Sequence, residues 1–218
     1  MPLVCAIALA VPGVLVVDGL YLLAADWYVE LVYDRGGVPD DRYGLTDRQR
    51  LGLAETGLHA ILPWGAGLDL LRDARLPDGA AAFRNRELGH MQDVRAILSA
   101  FLIGHGIAVI AIGALGVGLA RTRARAAVPA GLRAGALLTF GLAAFVGLLL
   151  AVEYDWFSTG FHTLFFEGES WRFEETDTLR RLYPDRFWEV TAAVLAIVAV
   201  VQALLVLVVA RSWLRRVR

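Results

Sequence analysis

The 218 residues are 57% hydrophobic with a mean hydropathy of +0.56, well above the apolar share of a water-soluble domain. The formal net charge is only −1, yet all 21 basic residues are arginine and they are segregated from the 22 acids along the chain. A single cysteine, Cys5, excludes an internal disulfide and a multi-cysteine metal centre. The outer arginines form no basic groove and no glycine-rich phosphate loop is present, which argues against nucleic acid as a partner.

Four segments are apolar over the roughly 20 residues that a bilayer requires, at about 3–25, 97–120, 132–154 and 188–210. The first has no basic leader and no small-x-small cleavage site, so it reads as a retained span. It contains Pro12, which is tolerable in a membrane helix, and Asp18. A carboxylate inside a span is costly, so Asp18 is either functional or a bonding partner for a neighbouring helix or the interface.

Residues 26–82 are too many for a simple loop. Thr46 and Gln49 have the spacing of a capping box, and Leu45 stands where a hydrophobic staple belongs. Leu51, Ala54, Leu58 and Ile61 then mark one apolar face, closed by Pro63 and Gly65. His59, one turn after Glu55, reads as half of a solvated pair. A short helix over about 68–74 and a turn at Pro77-Asp78-Gly79 follow. These pieces predict a small helical cap at the membrane surface.

Residues 83–94 should be helical and continuous with the second span. Steps of three and four put Glu87, His90 and Asp93 on one face. His90 precedes Ile97 by about seven residues, or roughly 10 Å along a helix axis, which is headgroup depth. Gly104, Gly106, Gly113, Gly116 and Gly118 of that span suggest close helix packing. His105 has no histidine in another span to pair with, so an interhelical hydrogen bond is expected rather than a haem or a relay. The third span ends at Glu153-Tyr154-Asp155-Trp156, and an aromatic stretch through Phe161, His162, Phe166 and Trp171 follows before the fourth span. An interfacial aromatic belt accounts for the rings but not for the histidine among them.

Arginine sets the orientation. Arg121, Arg123, Arg125 and Arg133 link spans two and three without an acid, and Arg211, Arg215, Arg216 and Arg218 form the tail. Every acid except Asp18 lies in the other two connections or, as Glu153 and Glu189 do, at the span ends that border them. The positive-inside rule therefore predicts cytoplasmic termini, with 26–96 and 155–187 outside the plasma membrane. The expected fold is all-α, a single polytopic membrane domain of four transmembrane helices with a small helical extracytoplasmic cap.

Two outer histidines suit general acid–base work near neutral pH. Ser158 and Thr159 are near His162, but nothing marks either as an activated nucleophile. The same residues permit a metal reading, with Glu87 or Asp93 joining His90 and His162 in a two-histidine, one-carboxylate set. A purely structural reading, with both histidines as interfacial hydrogen-bonding groups, also stands.

Phe83-x-x-x-Glu87-x-x-His90-Met91-x-Asp93-Val94, then Phe161-His162-x-x-x-Phe166, Trp171-x-Phe173 and Leu182-Tyr183-Pro184-x-x-Phe187, resemble the bacterial lipoprotein intramolecular transacylase (Lit) family. The resemblance implies an enzyme without a cofactor, working in the bacterial cell membrane on a diacylglyceryl lipoprotein. The sn-2 acyl chain would move to the free cysteine amine, giving a lyso-form product. It implies His90 and His162 as the catalytic pair. Glu87 or Asp93 would orient His90, and Trp171, Phe161 and Phe166 would shape the substrate pocket. A metal-dependent membrane hydrolase and a non-enzymatic lipoprotein-handling protein are the competing expectations.

Overall fold

The computed structural model describes residues 1–217. Among these the chain forms nine helices: α1 (Pro2–Leu23), α2 (Asp26–Arg35), α3 (Asp47–Ile61), α4 (Asp69–Asp73), α5 (Asn85–Leu119), α6 (Ala127–Val152), α7 (Tyr154–Phe165), α8 (Thr178–Leu182) and α9 (Asp185–Val217). The one extended pairing among them is an isolated antiparallel bridge from Arg75 to Ala81 across the predicted Pro77-Asp78-Gly79 turn, where Gly79 has φ +86°. The helices α1, α5, α6 and α9 are long and apolar enough to cross a membrane. Many of their large apolar side chains are exposed, among them Ile103, Ile107, Ile110, Val117, Phe145, Leu148, Leu204 and Leu205. Such a surface is unfavourable in water and suited to lipid.

Contacts divide the chain into two compact units. The first comprises residues 1–22, 101–152 and 193–217. Its core is Ile7, Val11 and Leu15 of α1, Val128 and Ala136 of α6, and Ala203 and Leu207 of α9. Close approach is made by glycines of α6 rather than of α5. A Cβ at Gly131 would lie 2.7 Å from Ile7 Cβ, and one at Gly135 would lie 2.5 Å from Val11 Cβ. Gly104, Gly106, Gly113 and Gly118 have nothing that close, and Gly116 meets only Trp213 at 3.2 Å. The expectation for the α5 glycines is thus corrected. Small residues permit contact, but a neighbouring helix must be there to use it.

Both intramembrane polar groups of interest find each other in this unit. His105 Nε2 lies 2.8 Å from Asp18 Oδ1, and the Tyr21 ring stands 5.5 Å from the imidazole. The interhelical bond expected of His105 therefore has a carboxylate partner. Its opposite number is the group that would otherwise be the most costly residue of α1.

The second unit comprises residues 23–100 and 153–192. Helix α3 carries the expected capping box, with Thr46 Oγ1 accepting from Gln49 N at 3.4 Å and Gln49 Oε1 accepting from Thr46 N at 2.9 Å. Its buried face is Arg50, Ala54, Gly57 and Ala60, whereas Leu51 and Leu58 are half-buried. Tyr183 explains the rotation: its hydroxyl donates to Ala54 O at 2.5 Å and comes within 2.5 Å of where a Gly57 Cβ would stand. Only small residues fit beneath that ring. His59 pairs with Asp26 across to α2 at 2.8 Å, not with Glu55 as the i,i+4 spacing suggested.

Three helices of this unit, α2, α7 and the short α8, were not anticipated as such. Helix α2 buries Tyr28, Val29 and Val32 on one face, with Asp26 in its first turn and Arg35 in its last. Helix α7 begins where Glu153 (φ −146°, ψ 66°) breaks the run of α6, so the aromatic stretch is itself helical.

Candidate active site

The residues that hold the site are charged and buried. Glu87, in the first turn of α5, has no exposure. One of its oxygens accepts from Arg84 N at 2.7 Å, and the other accepts from Leu179 N at 2.7 Å. One carboxylate thus caps the start of α5 and the start of α8 together. Asp177, also buried, accepts from Arg84 at 3.0 Å, from Arg86, and from Glu174 N at 2.7 Å. Thr178 Oγ1 donates to Ala82 O. On the other side of α5, Arg95 donates to the carbonyls of Ala60 and Leu62, each at 2.6 Å, at the end of α3.

The loop and α8 are locked in the same way. Arg50 donates to Arg181 O and Pro39 O, both at 2.8 Å, and Arg181 grips Asp41 through two bonds of 2.9 Å. That guanidinium holds the Asp41 carboxyl down to about 2.

In this arrangement both Glu87 oxygens serve helix N-termini. Glu87→Ala leaves the buried Leu179 N–H and the half-buried Arg84 N–H without acceptors, at about 1–3 kcal/mol for the buried one. The expected result is a large fall in unfolding temperature for the solubilised protein, with activity per folded molecule changed far less. An orienting role predicts the reverse, with stability retained and activity lost.

His90 stands in the second turn of α5, ahead of the apolar stretch. Its ring centroid lies 4.7 Å from that of Phe166 and 5.3 Å from that of Phe173. Burial, and secondly the electrostatic influence of His162, push His90 down to about 4. Its Nδ1 is buried and has no hydrogen-bond partner among the described residues.

His162, on α7, lies under Trp171, with the rings stacked at 4.5 Å and 21°. Phe166 at 5.8 Å and Phe161 at 5.7 Å complete its aromatic surroundings. Phe166 therefore borders both imidazoles. Trp171 reaches back over α7 because the chain reverses after Phe166 through Gly168, whose φ of +60° favours glycine.

One bond decides the state of His162. Its Nδ1 lies 2.7 Å from the carbonyl oxygen of Ser158. A carbonyl can only accept, so Nδ1 carries the hydrogen and Nε2 of the neutral ring keeps a lone pair. Burial pushes the His162 pKa below the usual histidine value, and the Ser158 bond opposes that only in part. The site thus holds two neutral imidazoles at physiological pH, one of them with a defined basic nitrogen.

The structure brings together His90, His162, Phe166 and Trp171, with Phe161 at the edge and 47% exposed. It adds Phe173, which sequence reasoning quoted only as part of a motif. Asp93 is exposed, and no carboxylate is bonded to His90 Nδ1 among the described residues. Ser158 enters through its carbonyl. Among the described residues no three histidine, cysteine or acidic side chains converge in a metal-binding group, and both Glu87 oxygens are taken by backbone N–H groups. The two-histidine, one-carboxylate set expected on the metal reading is therefore not assembled.

Residues 15–188 match the profile of a family described as lipoprotein intramolecular transacylase Lit. The chain belongs to the Lit family. It is 34% identical over 180 residues, covering 83% of this chain and 80% of the relative, to an uncharacterised protein of Aquifex aeolicus (strain VF5). Its fold resembles that of the membrane integral lipoprotein intramolecular transacylase Lit from Bacillus cereus, with a TM-score of 0.78 at 16% identity over 98% of this chain and 95% of the other. The all-α, multi-pass membrane architecture expected from the sequence is thus that of the family. Lit membership also makes the chain a membrane acyltransferase of the lipoprotein transacylase type.

Proposed function

We propose that the chain moves the sn-2 acyl group of a diacylglyceryl lipoprotein to the α-amine of its N-terminal cysteine, with His162 as base and His90 completing the proton transfer. The observation that carries this reading is the Ser158 carbonyl, which leaves His162 Nε2 as the basic nitrogen within an aromatic enclosure. The amine nitrogen attacks the ester carbonyl carbon and loses a proton to Nε2. A C–N bond forms, the C–O bond to glycerol breaks, and the glyceryl oxygen needs one proton back. That proton is the one His162 Nε2 took from the amine: handed on through His90, whose preference for the neutral form makes it release a proton readily, it reaches the glyceryl oxygen and leaves both imidazoles neutral. Amine and ester belong to one molecule, so positioning supplies much of the rate.

No activated serine or cysteine is required, because the substrate carries its own nucleophile. In this proposal 26–96 and 155–187 lie outside the plasma membrane and both termini lie inside. The support is the arginine content of the α5–α6 link and of the C-terminal turn of α9.

The test is the state of the N-terminal amine on lipoproteins from cells that make only diacyl forms with free amines. Transfer leaves intact mass unchanged, so amine labelling with tandem mass spectrometry must locate the acyl chain. Expression of this protein is expected to block the amine and leave one glyceryl acyl chain. An amine that stays free despite good membrane expression overturns the proposal.

A further inference from the structure

The indole of Trp171 holds a polar group that nothing in the fold uses. Its Nε1–H is buried and has no hydrogen-bond partner among the described residues. An indole nitrogen donates only, so an acceptor must come from elsewhere. Buried donors are nearly always satisfied in folded proteins, and an orphan within a site points to a ligand. The orphan here is on the ring stacked 4.5 Å from His162, the imidazole with the defined basic nitrogen. The stack, at 21°, keeps the whole indole against the imidazole that carries the base. The surroundings are His162, Phe166 and Phe173 around His90, and Arg172, whose guanidinium carbon stands 5.1 Å from the indole centre. A nearby cation draws electron density from the ring and makes its N–H a better donor.

We propose that Trp171 Nε1–H donates to the carbonyl oxygen of the ester under attack, and so forms the oxyanion-stabilising group of this site. This rests on the acyl-transfer reading above. When the amine adds, the carbonyl π pair moves onto that oxygen, and the hydrogen bond strengthens as the charge develops. No proton leaves the indole. When the glyceryl C–O bond breaks, the pair returns and the new amide carbonyl remains as a neutral acceptor. Because the bond is stronger to the intermediate than to the ester, it raises kcat more than it lowers KM. The stacking on His162 is a separate service of the same side chain, so the N–H must be removed without the ring.

Trp171→Phe in the full-length membrane-embedded protein keeps an aromatic plane and deletes the donor. The expected result is a fall in kcat of about 10²–10³-fold, the usual loss for one oxyanion donor, with KM within about threefold. Site-specific replacement of Trp171 by benzothienylalanine, which exchanges N–H for sulfur in a ring of the same shape, decides the matter if the phenylalanine variant misfolds. The same loss of kcat is expected there, with the unfolding temperature unchanged. Full activity of the benzothienyl protein, or a loss seen only in KM, overturns the assignment while leaving acyl transfer intact. A wild-type protein that never blocks the amine instead removes the reading on which this proposal stands.

Discussion

Replacement of His162 by asparagine is expected to slow amine acylation by about 10²–10⁴-fold, the usual contribution of a positioned general base. Asparagine is chosen because its side-chain N–H can still reach the Ser158 carbonyl that His162 Nδ1 now serves at 2.7 Å. The local anchoring of α7 is kept and the basic nitrogen is lost. The loss should fall on the chemical step, because the enclosure formed by Phe166 and Trp171 remains. Single-turnover amine blocking on a reconstituted diacylated lipoprotein measures it. If the asparagine variant retains its rate within about threefold, His162 is not the base, and the tautomer argument loses its functional meaning.

The second large effect is on pH. Across pH 6.5 to 8, kcat/KM is expected to rise about tenfold per pH unit and then level off near 8, where an α-amine has its pKa. Only the neutral amine attacks, so its free fraction falls tenfold for each unit below that value. His90 is held down to about 4 and stays neutral throughout, and His162 is lowered below the ordinary histidine value, so protonation of these rings adds no break at pH 6.5. The sign follows from burial, which disfavours the charged imidazolium and moves its appearance to lower pH. Two histidines with ordinary values would steepen the profile near pH 6.5, because the base would then be protonated as well. A break to a steeper slope at that pH would show that the enclosure does not hold these rings neutral.

Glu87 shows how far spacing alone can be trusted. Its place one turn before His90 makes it look like an orienting carboxylate, and the helix face is indeed shared. What the spacing cannot reveal is that Leu179 N, from the start of a helix 92 residues away, occupies one of its oxygens. His59 repeats the lesson on a smaller scale: an acceptable i,i+4 partner existed in Glu55, and the fold supplied Asp26 instead. Sequence neighbours compete with groups brought in by tertiary contact, and spacing along one helix does not tell which of them wins.

The four spans, the capping box of α3 and the continuity of α5 through Glu87 and His90 were legible because each depends on neighbours within a few turns. Hydropathy, capping and helical periodicity are local properties. Tertiary structure decided the rest. It showed which glycines accept a neighbouring helix, because small size becomes close packing only where a second surface arrives, as Val11 does at Gly135. It paired His105 with Asp18 and set the His162 ring on the Ser158 carbonyl, since rotamers and partners follow from packing rather than composition. It also stacked Trp171 on His162 through the turn at Gly168. A buried N–H without an acceptor exists only once a fold has closed around it.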